Sequence, residues 1–347
     1  MAAAKRVNLA LQGGGAHGAF TWGVLDFLLE DPRIEIAAIS GTSAGAMNAA
    51  VLAGGMAKGG RDGARAALEA FWRAVSRVGA WSPVRRAPID VLLGCWSLDR
   101  SPAFAMMDIL HRLASPYDFN PLDINPLREL VAGTVDFEAI RTSGAIKLFI
   151  SATNVETGKV RVFDEHEVTL DAVMASSCLP FWFRAVEIDG APYWDGGYMG
   201  NPSLFPFNLP DLPNDVVIVQ INPIRRKGTP RSATEILNRI NEITFNSSLL
   251  KELRAIEFVS RLLDDGALDP GRYRRLHVHV IDDDAHLQTM GASSKANAEW
   301  AFLRALVGHG RDAAERWTGR HFGALGRRSS VDLAAMFSDI GTMPHHG

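Results

Sequence analysis

The sequence predicts an α/β fold, with a mainly parallel sheet covered by helices on both faces and a helical cap inserted over one edge. Three observations predict it. Strand-like and helix-like runs alternate over short connections in the first sixty residues, which favours parallel pairing with helices as crossovers. Residues 215–222 (DVVIVQIN) carry an almost continuous apolar run, as expected of a strand buried on both faces. Between them, residues 59–128 carry Trp, Met, Phe and Pro without a clear period, the composition of an insertion lying over the carboxyl edge, where open α/β sheets bind ligands.

Taken in order, residues 7–11 (VNLAL) read as the first buried strand, cut off by the glycine cluster 13–18. Phe20, Val24, Phe27 and Leu28 then recur on one side of a helix. Asp31-Pro32 ends it, and residues 34–39 form the next strand. A small-residue helix over 46–56 and an amphipathic one over 64–78 follow. Residues 146–153 (IKLFISAT) form a strong strand, with 159–163 pairing nearby. A short helix over 170–177 precedes two strands flanking Asp189-Gly190, a hairpin signal. After the strand at 215–222 come a long helical region over 233–263, broken near 244–248, a last strand over 276–281 and a closing helix over 292–307. Residues 1–320 read as a single domain with the cap at about 59–128, and 321–347 as a C-terminal arm, partly disordered.

Composition removes several classes of function. With 347 residues, 47% of them hydrophobic, the chain can bury a substantial core. A formal net charge of −3, with Lys and Arg dispersed, argues against nucleic acid. Two cysteines, Cys95 and Cys178, cannot build a disulfide framework; both read as small buried hydrophobes in a reducing compartment. No secretory leader and no run of about 18 apolar residues is present, so the expectation is a cytoplasmic protein with at most peripheral membrane contact. Asp282-Asp283-Asp284 reads as a solvated turn, and no metal or cofactor is expected.

Three glycine-bearing turns each follow a strand-like segment, so in a parallel sheet each can reach the same carboxyl edge: Gly13 to Gly18, Gly41 to Gly45, and Asp195 to Gly197. Gly41-Thr42-Ser43-Ala44-Gly45 has the G-x-S-x-G form of a sharp strand-to-helix turn that exposes a serine hydroxyl. Gly13-Gly14-Gly15 opens a helix, and its N–H groups suit either phosphate or an oxyanion. The absence of Gly-Lys-Ser/Thr excludes a P-loop. A dinucleotide site would leave Ser43 idle, whereas an oxyanion hole beside it explains both turns. Asp195, in Tyr-Trp-Asp-Gly-Gly, is a candidate base for the serine proton.

On these three motifs, in this order, the chain resembles the patatin-like phospholipases. The resemblance extends over about residues 7–222. It implies a three-layer α/β/α sandwich and a Ser-Asp dyad without a catalytic histidine. Ser43 would be the acyl-forming nucleophile and Asp195 its general base. Gly13, Gly14, Gly15 and Ala16 would form the oxyanion hole, with His17, Gly18, Gly41, Gly45, Gly196 and Gly197 supporting the motifs. His17 stands where many members carry Arg or Lys, which leaves the presence of a fixed cation near the hole open.

The implied reaction is hydrolysis of a phospholipid, lysophospholipid or other acyl ester, with contact to a lipid aggregate and with homo-oligomerisation left open. An acyltransferase or short-chain carboxylesterase would use the same nucleophile, and a non-catalytic nucleotide-binding protein would use the Gly13 to Gly18 loop. A Ser-His-Asp triad is also compatible with the chain order, through His277, His279 or His286. Leu179, Phe181, Trp182, Phe183, Trp81 and Met106 are candidates to line an apolar cleft.

Overall fold

Alternate residues of the central strands enter two separate cores, which is what makes the molecule three-layered. Leu9, Leu11, Ile39, Leu148, Ile150, Val217 and Val219 belong to one apolar cluster. Ala10, Ala38, Phe149, Val216, Ile218 and Val278 belong to the other. A period of two with both sets buried requires cover on both faces of the sheet. The computed structural model describes residues 4–226 and 228–337.

Strand β1 (Lys5–Leu11) leads into α1 (Gly18–Glu30), and β2 (Ile34–Gly41) into α2 (Ala44–Gly79). The two helices expected over 46–56 and 64–78 both form within this span and part at Gly59 and Gly60, whose backbone leaves the helical region. The cap follows as short helices: α3 (Pro88–Leu92), α4 (Pro102–Leu113), α5 (Pro116–Phe119), α6 (Pro126–Thr134) and α7 (Phe137–Ser143). Four of them open with proline, which loses nothing where the first-turn N–H has no partner anyway.

Strands β3 (Lys147–Asn154) and β4 (Val160–Phe163) come next, then α8 (Leu170–Ser176), β5 (Val186–Ile188) and β6 (Ala191–Asp195). The β5–β6 hairpin turns on Asp189 and Gly190, both at positive φ, the two-residue turn that the Asp-Gly pair signals. The remainder is β7 (Asp215–Val219), α9 (Ala233–Asp264), β8 (His277–Ile281), α10 (Asp284–Leu287), α11 (Trp300–His321) and α12 (Leu333–Phe337). The sheet runs β5-β6-β3-β2-β1-β7-β8, with β4 on β3. From β3 to β8 it is parallel; β4 and β6 pair antiparallel with opposite edges of β3, and β5 pairs antiparallel with β6.

Three expectations are corrected. Helix α9 is unbroken: Asn246 and Ser248, the polar residues that suggest a break, are buried on its inner face and bond to Gln12 and Asn201. The closing helix starts later and runs longer, since residues 292–296 form a 3-10 turn and α11 reaches His321. Residues 322–337 are not a loose arm. Lys5 Nζ donates to the carbonyls of Phe322 and Leu325, both at 2.9 Å, and Leu325 and Leu333 are buried. Residues 338–347 lie outside the described residues. Cys178 is buried as expected, but Cys95 is exposed in the cap. Among the described residues no helix is long and apolar enough to cross a membrane.

Candidate active site

The pairing of β3 explains how the second and third glycine turns meet. Ile150 has Phe163 of β4 on one side and Gly41 of β2 on the other. Two residues on, Ala152 has Arg161 of β4 on one side and Asp195 of β6 on the other. Since β4 holds one edge throughout, β2 and β6 share the opposite edge. β2 stops at Gly41, and β6 takes over and ends at Asp195. The turn bearing Ser43 therefore springs from the point where the Asp195 strand arrives.

Ser43 sits at the apex of its turn with φ 55° and ψ −122°, a strained conformation for a non-glycine residue and the mark of a nucleophile elbow. The strain is held by neighbours: Ser43 N–H donates to Ser176 Oγ at 2.9 Å, and Thr42 Oγ1 to the Gly200 carbonyl at 2.6 Å. Glycine is required at position 45, because a Cβ there would lie 2.2 Å from the Leu11 carbonyl oxygen. Gly41 likewise abuts the backbone of Gly45. Ser43 is half-buried, so its hydroxyl is reachable, while the carboxyl behind it is not.

Asp195 is fully buried. Its backbone is fixed at both ends, N–H to the Cys178 carbonyl at 2.8 Å and C=O from Thr153 Oγ1 at 2.9 Å. Its Oδ1 accepts the Gly197 N–H at 2.7 Å, and Oδ2 has no hydrogen-bond partner among the described residues. Burial pushes the carboxyl up to about 7, against the pull of the Gly197 N–H, the Ser43 hydroxyl and the Lys295 ammonium. Ser43 thus lies close enough to act on the carboxyl, yet the pair is adjacent rather than closed. Gly196 packs on the Ser151 carbonyl and Gly197 on the Phe245 ring, which is why the strand ends in two residues without side chains.

The glycine loop lies on the other side of Ser43: a Cβ on Gly13 would stand 2.6 Å from Ser43 Cβ. Its N–H is already committed to Asn201 Oδ1 at 2.7 Å, so Gly13 is not open to a substrate oxygen as expected. A 3-10 turn over Gly15–His17 follows, and its first internal donor is His17 N–H, bonded to the Gly14 carbonyl. The N–H groups of Gly14, Gly15 and Ala16 precede that bond, in the position where helix-start donors lack intrahelical acceptors. Gly18 opens α1 against Ala44 and Trp72. His17 is buried with Nε2 at 2.8 Å from Ser294 Oγ. That hydroxyl donates to the Gly291 carbonyl, so the imidazole must donate to it. Burial, reinforced by the charge of Lys295, brings His17 down to about 3 and leaves it neutral at pH 7.

The histidines of the triad alternative are engaged elsewhere. His277 and His279 do share a face of β8, where both lie against Asp215 of β7, His279 Nε2 at 3.0 Å and His277 Nδ1 at 3.6 Å. His286 Nδ1 is 2.9 Å from Asp283 Oδ2, and its ring stacks on His309 at 4.1 Å. Asp283 is buried, not part of a solvated turn. Asp283, His286 and His309 hold their ligand atoms within 4.8 Å of one another, a set able to take a cation, although Arg316 already stands 3.8 Å from Asp283 Oδ1.

Several residues with no sequence motif support the site. Gln12 Oε1 accepts the N–H groups of Ile221 and Asn222, and its Nε2 donates to Asn246 Oδ1. Asn222 Nδ2 donates to the Gly13 carbonyl at 2.7 Å. Polar residues after a strand invite many readings, and only the fold aims these at the glycine loop. An apolar cleft of about 720 Å³ is lined by Leu113, Pro116, Phe181, Trp194, Tyr198 and Met199 among others; its lining flanks Asp195 in sequence, through Trp194 and Tyr198, without including Asp195 or Ser43. Of the six residues expected to line it, Phe181 does; Trp81 and Met106 are exposed in the cap.

Among solved structures, VipD from Legionella pneumophila is similar over 91% of this chain and 67% of its own, at 14% identity and TM-score 0.40. ExoU from Pseudomonas aeruginosa, in its complex with SpcU, is similar over 92% of this chain and 60% of its own, at 14% identity and TM-score 0.33. This chain therefore spans about two thirds of the one and three fifths of the other. No curated protein matches it. A family model described as patatin-like phospholipase matches residues 9–208, more than half of the sequence. The chain belongs to the patatin-like phospholipase family.

Proposed function

We propose that the protein is a lipid acyl hydrolase working through a Ser43–Asp195 dyad and a covalent acyl-serine. Family membership supports lipid acyl hydrolysis as the class of reaction. The observation that carries the mechanism is the Asp195 carboxyl, buried beside the Ser43 hydroxyl with Oδ2 unpartnered and a pKa near neutrality. A base with that pKa both accepts and returns a proton at pH 7.

In the first half-reaction Ser43 Oγ attacks the ester carbonyl carbon and its proton passes to Asp195. The carbonyl oxygen becomes an oxyanion facing the N–H groups of Gly14, Gly15 and Ala16, where fixed donors strengthen as charge develops. The C–O bond then breaks, and the leaving alkoxide takes the proton from Asp195. In the second half-reaction water gives its proton to Asp195 and attacks the acyl carbon. Ser43 leaves and is reprotonated.

The apolar cleft suits an acyl chain. In the cap, Met106, Ile109, Leu110 and Leu113 recur at helical spacing on α4 and are exposed, and Leu113 also lines the cleft. Such a stripe running into the cleft supports peripheral docking on a lipid surface. The test is lipid-class profiling of purified protein with Ser43→Ala as control. Release of free fatty acid from phospholipid or lysophospholipid by the parent and not by the variant is the expected result. Turnover of p-nitrophenyl esters by Ser43→Ala at the parent rate would refute the assignment.

A further inference from the structure

Lys295 belongs to no motif and lies about 250 residues from Ser43 in sequence, yet its side chain sits behind the glycine loop. The Lys295 carbonyl oxygen is 2.4 Å from where a Gly15 Cβ would begin, and Gly15 has φ +57°, so only glycine fits there. Lys295 Nζ donates to Asn222 Oδ1 at 2.8 Å, and Asn222 Nδ2 in turn holds the Gly13 carbonyl. The ammonium also lies 5.7 Å from the Phe245 ring centroid, and that ring packs against Gly197, next to the dyad carboxyl.

Its segment is clamped from both sides. Ser294 Oγ accepts from His17, while Ser293 Oγ accepts the Leu98 N–H of the cap at 3.0 Å. A half-buried ammonium bonded to a neutral amide is electrostatically costly, and structural packing alone does not call for one. Nearby carboxylates are otherwise occupied: Glu242 is paired with Arg226 and Arg239. The one ionisable group inside the loop itself, His17, is neutral. Among the described residues, Lys295 is the cation bonded through Asn222 to the glycine loop.

We infer that Lys295 is the positioning cation of the active site, placing positive charge behind the amides that receive the oxyanion. This rests on the dyad reading above. Four ionisable neighbours act on the exchange: the Asp195 and Glu242 carboxylates favour the ammonium, Arg226 opposes it, and Lys295 lowers both Asp195 and His17. Burial brings Lys295 itself down to about 8. The active form then has Asp195 ionised and Lys295 protonated, which is a bell-shaped dependence on pH.

The experiment is the pH profile of p-nitrophenyl ester turnover for the full chain and for Lys295→Met and Lys295→Arg, with Ser43→Ala in parallel. Lys295→Met is expected to lower kcat about 10²-fold with KM little changed, to move the acid limb to higher pH and to lose the alkaline limb. Lys295→Arg is expected to recover most of the rate with the alkaline limb displaced upward, a readout that survives even if the Met variant fails to fold. A Met profile that superimposes on the parent's, or an Arg variant whose alkaline limb stays in place, overturns the inference while an inactive Ser43→Ala leaves the dyad standing. Full activity of Ser43→Ala overturns the dyad itself and this inference with it.

Discussion

Gly41 and Asp195 pair with the same edge of strand β3, two residues apart, at Ile150 and Ala152. One strand ends where the other arrives, and the gap between them is where Ser43 turns outward. The proximity of alcohol and carboxylate is thus a property of strand register, which a slip of one residue would destroy by turning the Asp195 side chain to the opposite face.

Replacing Asp195 by Asn keeps the side-chain shape and the acceptor for the Gly197 N–H but removes the proposed base. We expect kcat to fall about 10³-fold or more. Fluorophosphonate labelling of Ser43 should slow in parallel, and a labelling rate equal to the parent's would exclude Asp195 as the base.

The same substitution is expected to stabilise the fold, with a definite pH window. The native carboxyl titrates near 7 and the unfolded one near 3.8, so the native state binds the extra proton between those values. Stability from this group is complete below about 3.8 and is lost as pH rises through 7. A shift of about 3 units corresponds to about 4 kcal/mol as an upper figure. Denaturant melts should therefore show Asp195→Asn gaining on the parent at pH 8 and matching it at pH 3.5.

Asn201 is fully buried, accepts the Gly13 N–H and donates to the Phe245 carbonyl at 3.2 Å. Asn201→Ala orphans both groups, each costing about 1–3 kcal/mol. The variant should melt earlier and turn over more slowly than Asn201→Asp, which keeps the acceptor for the Gly13 N–H. Equal rates for the two would show that the Gly13 anchor does not matter to the loop.

On α4, replacing exposed Met106, Ile109 and Leu110 together by Gln should cut hydrolysis of phospholipid vesicles about tenfold, by removing apolar area from the lipid contact. Turnover of a monomeric ester should stay within twofold. Equal losses on both substrates would assign the stripe to the cap's own folding.

Turns were legible where they are dictated locally. Gly41 has to be glycine beside the backbone of Gly45, four residues on, and Asp189-Gly190 takes a turn with positive φ at both positions. The errors came from residues whose reading depends on distant partners. Asn246 and Ser248 look like a helix break until Gln12 and Asn201 are placed opposite them. Residues 322–337 look like an arm until Lys5 and Asp215 are seen to hold their backbone.

What the sequence by itself determined is the layered α/β class, the order of strand, turn and helix, and the identity of Ser43 and Asp195 as candidates, since these follow from periodicity and short-range sterics. Only the tertiary structure decided that Asn201 occupies the Gly13 N–H, that Asp215 and Asp283 engage the candidate histidines, and that Lys295 stands behind the loop. Those outcomes turn on which polar groups meet when distant strands are brought into register, and on how far burial then raises a carboxyl and lowers an ammonium.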